Sequence, residues 1–418
     1  MQIKILKGMK DILPSQSDRW QKIESTIRKY AAVYGFQEIR TPVLERTELF
    51  ARGVGDTTDI VQKEMYTFKD KGDRSVTLKP EGTAGTVRAF LEAGLNSEAL
   101  PCKLYYLNAP IFRYESPQSG RLREHHQFGV ECFGSNDPSS DAEVISLGYN
   151  LLKKFNIPNL NVQINSIGCP KCRPAYTKAL LEYLSDKKDK LCKDCLTRYE
   201  KNPLRVLDCK EENCKLLIKD SPKITDYLCD ECKEHMDKLL RYLDSIDIPY
   251  TINPYVVRGL DYYSKTVFEF VQKTENGNLT VCGGGRYDNL VSELGGPQMP
   301  AVGFGLGIER LLMLMNDETE RLSSAPDVFV ANISQNDLVE SYRVLNLLRT
   351  NDIKSDMDHL NRSLKSQFKF ANKSNAKYIL MVGGEELERG AYKLRNLDNR
   401  EEQEINKADL ISILKSLL

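Results

Sequence analysis

Two apolar runs separated by polar residues predict a β-hairpin in the first third of the chain. The first run, Leu104 to Phe112, stops at Arg113, and the second, Phe128 to Phe133, starts just after Gln127. The residues between them include Ser, Pro, Gln and Gly, which favour a turn. We therefore expect two paired strands whose polar residues gather at one end of the hairpin.

Similar patterns predict helices and strands on both sides of this hairpin. Apolar residues recur at steps of three and four from Asp18 to Tyr34, which indicates an amphipathic helix. The other predicted elements of this region are strand 36–40, strand 75–78, helix 84–93, a helix from 139 or 140 to 155, strand 161–167, paired strands 266–272 and 279–282, and helix 308–315.

Changes in composition divide the chain into four segments. Residues 1–168 and 249–322 carry the strand patterns, and a Cys-rich insertion with helical periodicity, 169–248, separates them. A polar linker then leads to residues 326–418, where strands and helices alternate as in a small α/β domain. We expect one interrupted domain followed by a second, smaller domain.

Overall composition limits the classes of protein to consider. The 418 residues carry a net charge of zero, so any nucleic-acid contact must come from local basic patches. No apolar run approaches the roughly 18 residues that span a bilayer, and the first residues are too charged for a signal peptide. We expect a cytoplasmic protein without membrane contact.

Eight of the eleven cysteines lie in four close pairs within the insertion. The pairs are Cys169/Cys172, Cys192/Cys195, Cys209/Cys214 and Cys229/Cys232. Three of them have the C-x-x-C spacing that lets two thiolates reach one ion. The hypothesis is one or two structural zinc ions, with the grouping of the pairs left open. The alternative is a helical insertion with free cysteines.

Three groups of polar residues suggest a binding site, each with a plainer alternative. Arg113, Arg121 and Arg123 at the hairpin end suit a phosphate, or belong to a solvated tip with scattered ion pairs. Glu81 and Thr83 could hold an ammonium group, or cap helix 84–93. The glycines at 283–285 permit close backbone approach to a ligand, or form a turn.

The C-terminal segment contains a row of basic residues at helical spacing. They are Arg362, Lys365, Lys369, Lys373 and Lys377. If one helix carries them all, they form a stripe that could follow RNA phosphates. The alternative is an ordinary solvated helix face.

Several motifs, taken in order, resemble those of one enzyme family. The hairpin motif Phe112-Arg113-x-Glu115 resembles motif 2 of class II aminoacyl-tRNA synthetases, and 301–310 resembles motif 3. The stretches 78–83 (LKPEGT) and 257–263 (VRGLDYY) resemble two motifs specific to histidyl-tRNA synthetases. From 7–14 (KGMKDILP) onward the resemblance covers the whole chain, which is identified as a member of that family, of bacterial type.

The resemblance implies a fold and an activity. The fold would be an α+β class II catalytic domain, an antiparallel sheet flanked by helices, with a mostly helical insertion and an α/β anticodon-binding domain. The activity would be the joining of L-histidine to tRNA(His), with ATP and Mg²⁺, by a homodimer. The main alternative is an inactive paralogue such as the regulatory subunit of ATP phosphoribosyltransferase, and a third is a zinc-dependent RNA-binding protein.

The same resemblance assigns roles to individual residues. Arg113 and Arg258 would be catalytic, on the α-phosphate. The ATP site would comprise Arg113, Glu115, Arg121, His125 and Arg310. The histidine site would comprise Glu81, Gly82, Thr83, Gln127, Glu131, Tyr262 and Tyr263. Transfer-RNA contacts would come from Gln118, Arg123, Arg362, Lys365 and Lys369.

One residue departs from the usual family pattern. His125 stands where the return strand of motif 2 commonly has a Phe that stacks on adenine. An imidazole titrates near pH 6.5. The sequence therefore predicts that ATP affinity depends on pH around that value.

Overall fold

A computed structural model describes residues 3–55, 58–117, 122–274, 277–315 and 325–418. The described residues form two compact units, one of residues 3–12 and 19–315, the other of residues 13–18 and 325–418. None of the helices in these ranges combines the length and apolar character that crossing a bilayer requires.

The strands and helices follow the sequence patterns closely. Up to residue 315 the strands are β1 Gln37–Glu38, β2 Leu44–Arg46, β3 Tyr66–Lys69, β4 Ser75–Leu78, β5 Cys102–Phe112, β6 Glu124–Phe133, β7 Leu160–Ser166, β8 Tyr250–Ile252, β9 Ser264–Thr274, β10 Gly277–Arg286 and β11 Ala301–Gly307. The helices are α1 Pro14–Val33, α2 Thr47–Val54, α3 Thr83–Glu92, α4 Pro138–Lys154, α5 Arg173–Ser185, α6 Lys193–Lys201, α7 Glu212–Ile218, α8 Asp230–Asp244, α9 Leu290–Glu293 and α10 Ile308–Leu314.

Eight strands form the large sheet of the first unit, in the order β1-β5-β6-β11-β10-β9-β7-β8. The six central strands pair antiparallel, as the sequence predicts, but β1 with β5 and β7 with β8 pair parallel. Parallel neighbours need a long crossover connection, and the helices α5 to α8 supply one between β7 and β8. A second, three-stranded sheet has the order β2-β4-β3.

The side chains of strand β6 alternate between the main hydrophobic core and the opposite face of the sheet. Phe128, Val130 and Cys132 belong to the main hydrophobic core, together with residues of α1 and α4. Successive side chains of a strand point to opposite faces. The odd-numbered residues from His125 to Glu131 therefore share the other face.

The second unit is an α/β domain. Its strands are β12 Val328–Asn332, β13 Ser355–Met357, β14 Tyr378–Val382, β15 Ala391–Asn396 and β16 Glu402–Asn406, in the order β13-β12-β14-β15-β16. Its helices are α11 Leu338–Thr350, α12 Leu364–Lys373, α13 Gly384–Glu388 and α14 Leu410–Leu417.

The predicted basic stripe of this unit is shorter than the sequence suggests. Helix α12 ends at Lys373 because Asn375 adopts a left-handed φ of 56° just beyond the last turn. Lys377 lies outside the helix, with its Nζ 3.1 Å from Asp327. Arg362 precedes the helix. Only Lys365, Lys369 and Lys373 remain on it.

A fully buried ion pair joins helix α4 to strand β10. Arg286 and Asp141 have no exposed side-chain surface, and Nε of Arg286 lies 3.2 Å from both carboxylate oxygens. Burial alone would raise the pKa of Asp141, but the charges of Arg286 and His235 outweigh burial and lower the pKa to about 2. The pair therefore stays ionised inside the protein.

We predict that Asp141→Asn destabilises the protein by about 3–5 kcal/mol, because the variant removes the fully buried counter-charge of Arg286 and leaves the more distant carboxylate of Asp288, 3.4 Å from Nη1. Urea unfolding measures the loss. The matched control is Glu234→Gln, which breaks an exposed pair with Lys238 on helix α8. The control should unfold like the unmodified protein, and an equal effect of both changes would contradict the account.

Candidate active site

A cavity of about 440 Å³ opens on the face of the sheet opposite the main core. Six of the residues singled out from the sequence line it: Arg113, Glu115, His125, Gln127, Arg258 and Arg310. These residues come from four separate parts of the chain. The fold therefore gathers three guanidinium groups around one space.

Arg113 lies at the end of β5, next to the strand end that carries Glu81. Its Nε donates to the carbonyl oxygen of Pro80 at 2.8 Å, and the amide of Phe112 donates to the carbonyl oxygen of Lys79 at 3.0 Å. These bonds fix the end of the hairpin against the 79–83 turn. The two motifs are thereby held side by side.

Arg258 also lines the cavity. Its guanidinium forms an ion pair with Glu269 of β9. Burial would lower the pKa of Arg258, but Glu269 outweighs it and raises the pKa above its ordinary value. A Cβ atom on Gly283 would overlap this guanidinium. The glycines at 283–285 thus belong to strand β10 and do not form a turn. Neighbouring protein atoms fill the space that a side chain at these positions would need.

A buried polar cluster lies around Glu131 and the start of helix α3. The hydroxyl of Thr83 donates to Glu131 Oε1 at 2.8 Å, and the rings of Tyr262 and Tyr263 lie 4.7 Å apart. Glu81 accepts hydrogen bonds from the amides of Thr83 and Ala84, each at 2.7 Å. The capping interpretation of Glu81 is therefore correct. The cap also fixes the carboxylate in the cluster.

Two tyrosines of this cluster were missed by sequence reasoning. The hydroxyl of Tyr287 donates to Glu131, and the ring of Tyr106 occupies the space beside Gly82 and Gly129. A Cβ atom on either glycine would overlap that ring. The glycine inside the apolar run of β6 was the available signal, since a glycine in a strand often marks a close approach.

The two buried carboxyl groups have raised pKa values. Burial raises the pKa of Glu81, although the amides of Ala84 and Thr83 oppose this. For Glu131, burial outweighs the hydrogen bonds from Tyr287 and Thr83, and the negative charge of Glu81 acts in the same direction as burial, so the pKa rises to about 8. Glu131 is therefore largely protonated at neutral pH.

His125 does not titrate as the sequence predicts. Loss of solvent around the imidazole and the nearby charges of Arg113 and Arg310 lower its pKa to about 3. The ring is neutral at pH 6.5 and above. This contradicts the titration near pH 6.5 on which the predicted pH dependence of ATP affinity rests, because the sequence did not reveal how deeply the imidazole is buried.

The remaining predicted residues have other contacts. Arg310 on α10 donates from Nη1 to the carbonyl oxygen of Thr280 at 2.8 Å. Arg123 stacks on Tyr114 at 4.0 Å and donates to the carbonyl oxygen of Glu115 at 3.1 Å. Arg362 pairs with Asp358 at 2.9 Å. Gln118 and Arg121 lie outside the described residues.

The insertion also contributes to the cavity. Asp208 and Lys210 lie in its wall, next to Arg258 and Glu269. Sequence reasoning did not predict this contact, because these residues stand about fifty positions from the motif they approach. The eight paired cysteines of the insertion gather into two groups of four that could each hold a metal ion.

Comparison with known proteins identifies the family. A family model described as "Histidyl-tRNA synthetase" matches residues 8–311. The chain belongs to the histidyl-tRNA synthetase family. A second model, "Anticodon binding domain", matches residues 327–417. The class II fold and the C-terminal anticodon-binding domain expected from the sequence are therefore confirmed.

Individual histidyl-tRNA synthetase relatives agree with this membership. Proteins named histidine–tRNA ligase from Clostridium novyi and Caldanaerobacter subterraneus are 51% and 53% identical, over 100% and 97% of both chains. The apo histidyl-tRNA synthetase of S. aureus matches with a TM-score of 0.84 and 37% identity, over 99% of this chain and 100% of that one.

The description of another similar solved structure names two kinds of protein. It is an ATP phosphoribosyltransferase regulatory subunit/histidyl-tRNA synthetase from Bacillus halodurans, with a TM-score of 0.65 and 23% identity, over 91% of this chain and 98% of that one. At this identity the likeness shows the fold alone.

We predict that the ring resonances of His125 do not titrate between pH 5.5 and 8. Spectra of protein with labelled histidine measure this, and His125→Phe assigns the signal among the four histidines. Since the unfolded chain binds this proton near pH 6.5 and the folded chain only near 3, the group should also lower stability as pH falls through that window. A midpoint near 6.5 in the folded protein would contradict the account.

Proposed function

We propose that this protein is a histidine–tRNA ligase. It activates L-histidine with ATP to histidyl-adenylate, and then transfers the histidyl group to the 3′ end of tRNA(His). One observation carries the proposal: two guanidinium groups, from Arg113 and Arg258, face one cavity beside a buried cluster of carboxyl, hydroxyl and phenol groups. The names of the close relatives support the same activity.

In the first step, the carboxylate of histidine attacks the α-phosphate of ATP, and pyrophosphate leaves. Negative charge grows on the α-phosphate in the transition state. Arg113 and Arg258, which both line the cavity, would stabilise this charge, and fixed donors of this kind supply much of an enzyme's rate enhancement. Arg310 would contact another phosphate or the adenine. Glu115 and Arg121 would complete the ATP site. The neutral ring of His125 would stack on the adenine. Mg²⁺ enters as part of the nucleotide substrate.

The buried cluster suits histidine as the amino acid. Glu81 and Thr83 would hold the α-ammonium group, and Gly82 between them makes room for the ring of Tyr106 behind the site. Gln127, Glu131, Tyr262 and Tyr263 would face the imidazole. Because these groups would lack partners around an apolar side chain, the site should reject apolar analogues strongly. A proton on Glu131 can also be donated to a neutral imidazole nitrogen.

The second step brings in tRNA(His), whose terminal ribose hydroxyl attacks the adenylate. Gln118 and Arg123 of the hairpin, and Arg362, Lys365 and Lys369 of the C-terminal unit, are the proposed contacts. Arg123 and Arg362 already bond to other protein groups, whereas Lys365 and Lys369 are exposed on α12. The two lysines are therefore the favoured tRNA contacts. Assembly as a homodimer, a cytoplasmic location and the four-segment division at 168, 248 and 322 stay predictions.

The regulatory-subunit alternative is less well supported. Close relatives over the full chain are named ligases. The expected residues Glu81, Arg113, Gln127, Glu131, Arg258, Tyr262 and Tyr263 are present. A zinc-dependent RNA-binding protein without chemistry would leave these residues unexplained. Structural zinc in the insertion is compatible with the ligase proposal, and the two groups of four cysteines support it.

ATP–pyrophosphate exchange tests the proposed function. We expect exchange that requires L-histidine and does not occur with the other amino acids. Folded protein that shows no exchange with histidine would overturn the proposal and favour the regulatory subunit.

We predict that Arg113→Gln lowers histidine-dependent exchange by about 100-fold or more, by analogy with the loss of one oxyanion-hole donor. The variant removes the charge on one side of the α-phosphate and keeps a polar side chain. Arg74→Gln is the matched control, because Arg74 is exposed and pairs with the nearby Asp70 on the surface. Equal rates in both variants would contradict the assigned role.

A further inference from the structure

The fold groups the eight paired cysteines in a nested order that the sequence left open. The outer cluster contains Cys169, Cys172, Cys229 and Cys232, and the inner cluster contains Cys192, Cys195, Cys209 and Cys214. Within each cluster, all four sulfur atoms lie within 4.8 Å of one another. The inner cluster thus lies in the stretch of chain that the outer cluster encloses.

The distances between sulfur atoms fit metal coordination. Sγ of Cys169 lies 3.6 Å from Cys172 and 3.8 Å from Cys229, and Sγ of Cys192 lies 3.8 Å from Cys209. Four sulfurs around a tetrahedral zinc ion, each at about 2.3 Å from it, are about 3.8 Å apart. No two of these sulfurs are at disulfide distance, which is about 2 Å.

Backbone amides donate hydrogen bonds to cysteine sulfurs in both clusters, which is a second feature typical of thiolate metal sites. The amide of Cys229 donates to Sγ of Cys172 at 3.1 Å. In the inner cluster, the amide of Cys195 donates to Sγ of Cys192, and that of Cys192 to Sγ of Cys214, both at 3.4 Å. Such bonds stabilise negative sulfur and orient metal ligands.

The segment between Cys195 and Cys209 contacts the candidate active site at regular intervals. Asn202 donates to Asp261 Oδ1 at 2.8 Å, and Arg205 donates from Nη1 to the carbonyl oxygen of Gly259 at 2.7 Å. Arg198 forms an ion pair with Asp59 at 2.9 Å. Gly259 and Asp261 lie one and three positions after Arg258, a proposed catalytic residue. The segment is bounded at each end by a cysteine of the inner cluster, and its middle contacts this turn.

We propose that each chain binds two zinc ions, one in the outer and one in the inner cluster, and that the inner ion positions the Asn202–Arg205 stretch against the 259–261 turn. The outer ion joins the stretch just after β7 to the start of α8. The inner ion acts on catalysis only through protein contacts. This second part depends on the proposed ligase function, whereas the metal content does not.

Metal analysis of the full-length protein tests the two sites and their grouping. We expect two zinc ions per chain, and one after either Cys172→Ser or Cys195→Ser. The double variant Cys172→Ser/Cys232→Ser should keep one ion, because both changes fall in the outer cluster. Cys172→Ser/Cys195→Ser should keep none. The reverse result for the two double variants would overturn the grouping.

Controls separate loss of a site from loss of the fold. Cys102→Ser changes a cysteine outside both clusters and should keep both ions. In the unmodified protein, a mercurial reagent that reacts with thiols should release two zinc ions, and cobalt should substitute with the absorption of a tetrahedral thiolate site. Protein without zinc, with all thiols reactive, would overturn the proposal, whatever its exchange activity.

A double-mutant cycle tests the positioning role. Cys195→Ser and Arg205→Ala should each lower histidine-dependent exchange about tenfold or more, because small displacements at a reacting centre have large effects. The double variant should be no slower than the slower single variant, since both changes release the same contact. If the two effects multiply instead, the positioning role of the inner ion is overturned. The zinc content then still rests on the metal analysis. Cys102→Ser with Arg205→Ala should match Arg205→Ala alone.

Discussion

Two carboxyl groups, Glu81 and Glu131, are buried close together, and much of the surrounding structure holds them there. A buried charge without hydrogen-bond partners is costly. The amides at the start of α3 bond to Glu81, while Thr83 and Tyr287 donate to Glu131. Gly303 lies so close to Glu131 that a Cβ atom there would overlap the carboxylate. Gly303, like Gly129 beside Tyr106, is thus required by the polar cluster.

The cavity in front of this cluster contains cationic groups, which the cluster lacks. The cluster holds acidic and phenolic groups, whereas the cavity holds the guanidinium groups of Arg113, Arg258 and Arg310 alongside carboxylates such as Glu115 and Glu269. This arrangement suits a substrate with a cationic amino group at one end and a phosphate-bound carboxylate at the other. The arginine charges also explain why the imidazole of His125 stays neutral.

The sequence predicted what depends on local pattern and missed what depends on distant contacts. The ends of β5 and β6 agree with the prediction to within a few residues, because apolar runs and turn residues mark them. The burial of Tyr106 and Tyr287, the contact of Asp208 with the cavity and the pKa of His125 all depend on residues far away in the chain. The 283–285 glycines were ambiguous for the same reason: their neighbours are distant residues such as Arg258 beside Gly283 and Phe304 beside Gly284.

Calorimetric binding of L-histidine to the unliganded protein, with and without Glu131→Gln, tests most directly whether the buried cluster is the amino-acid site. We predict one histidine per chain and an affinity about tenfold lower in the variant, the value of one lost hydrogen bond. Tight binding that is equal in both proteins would contradict it, because histidine would then lie elsewhere.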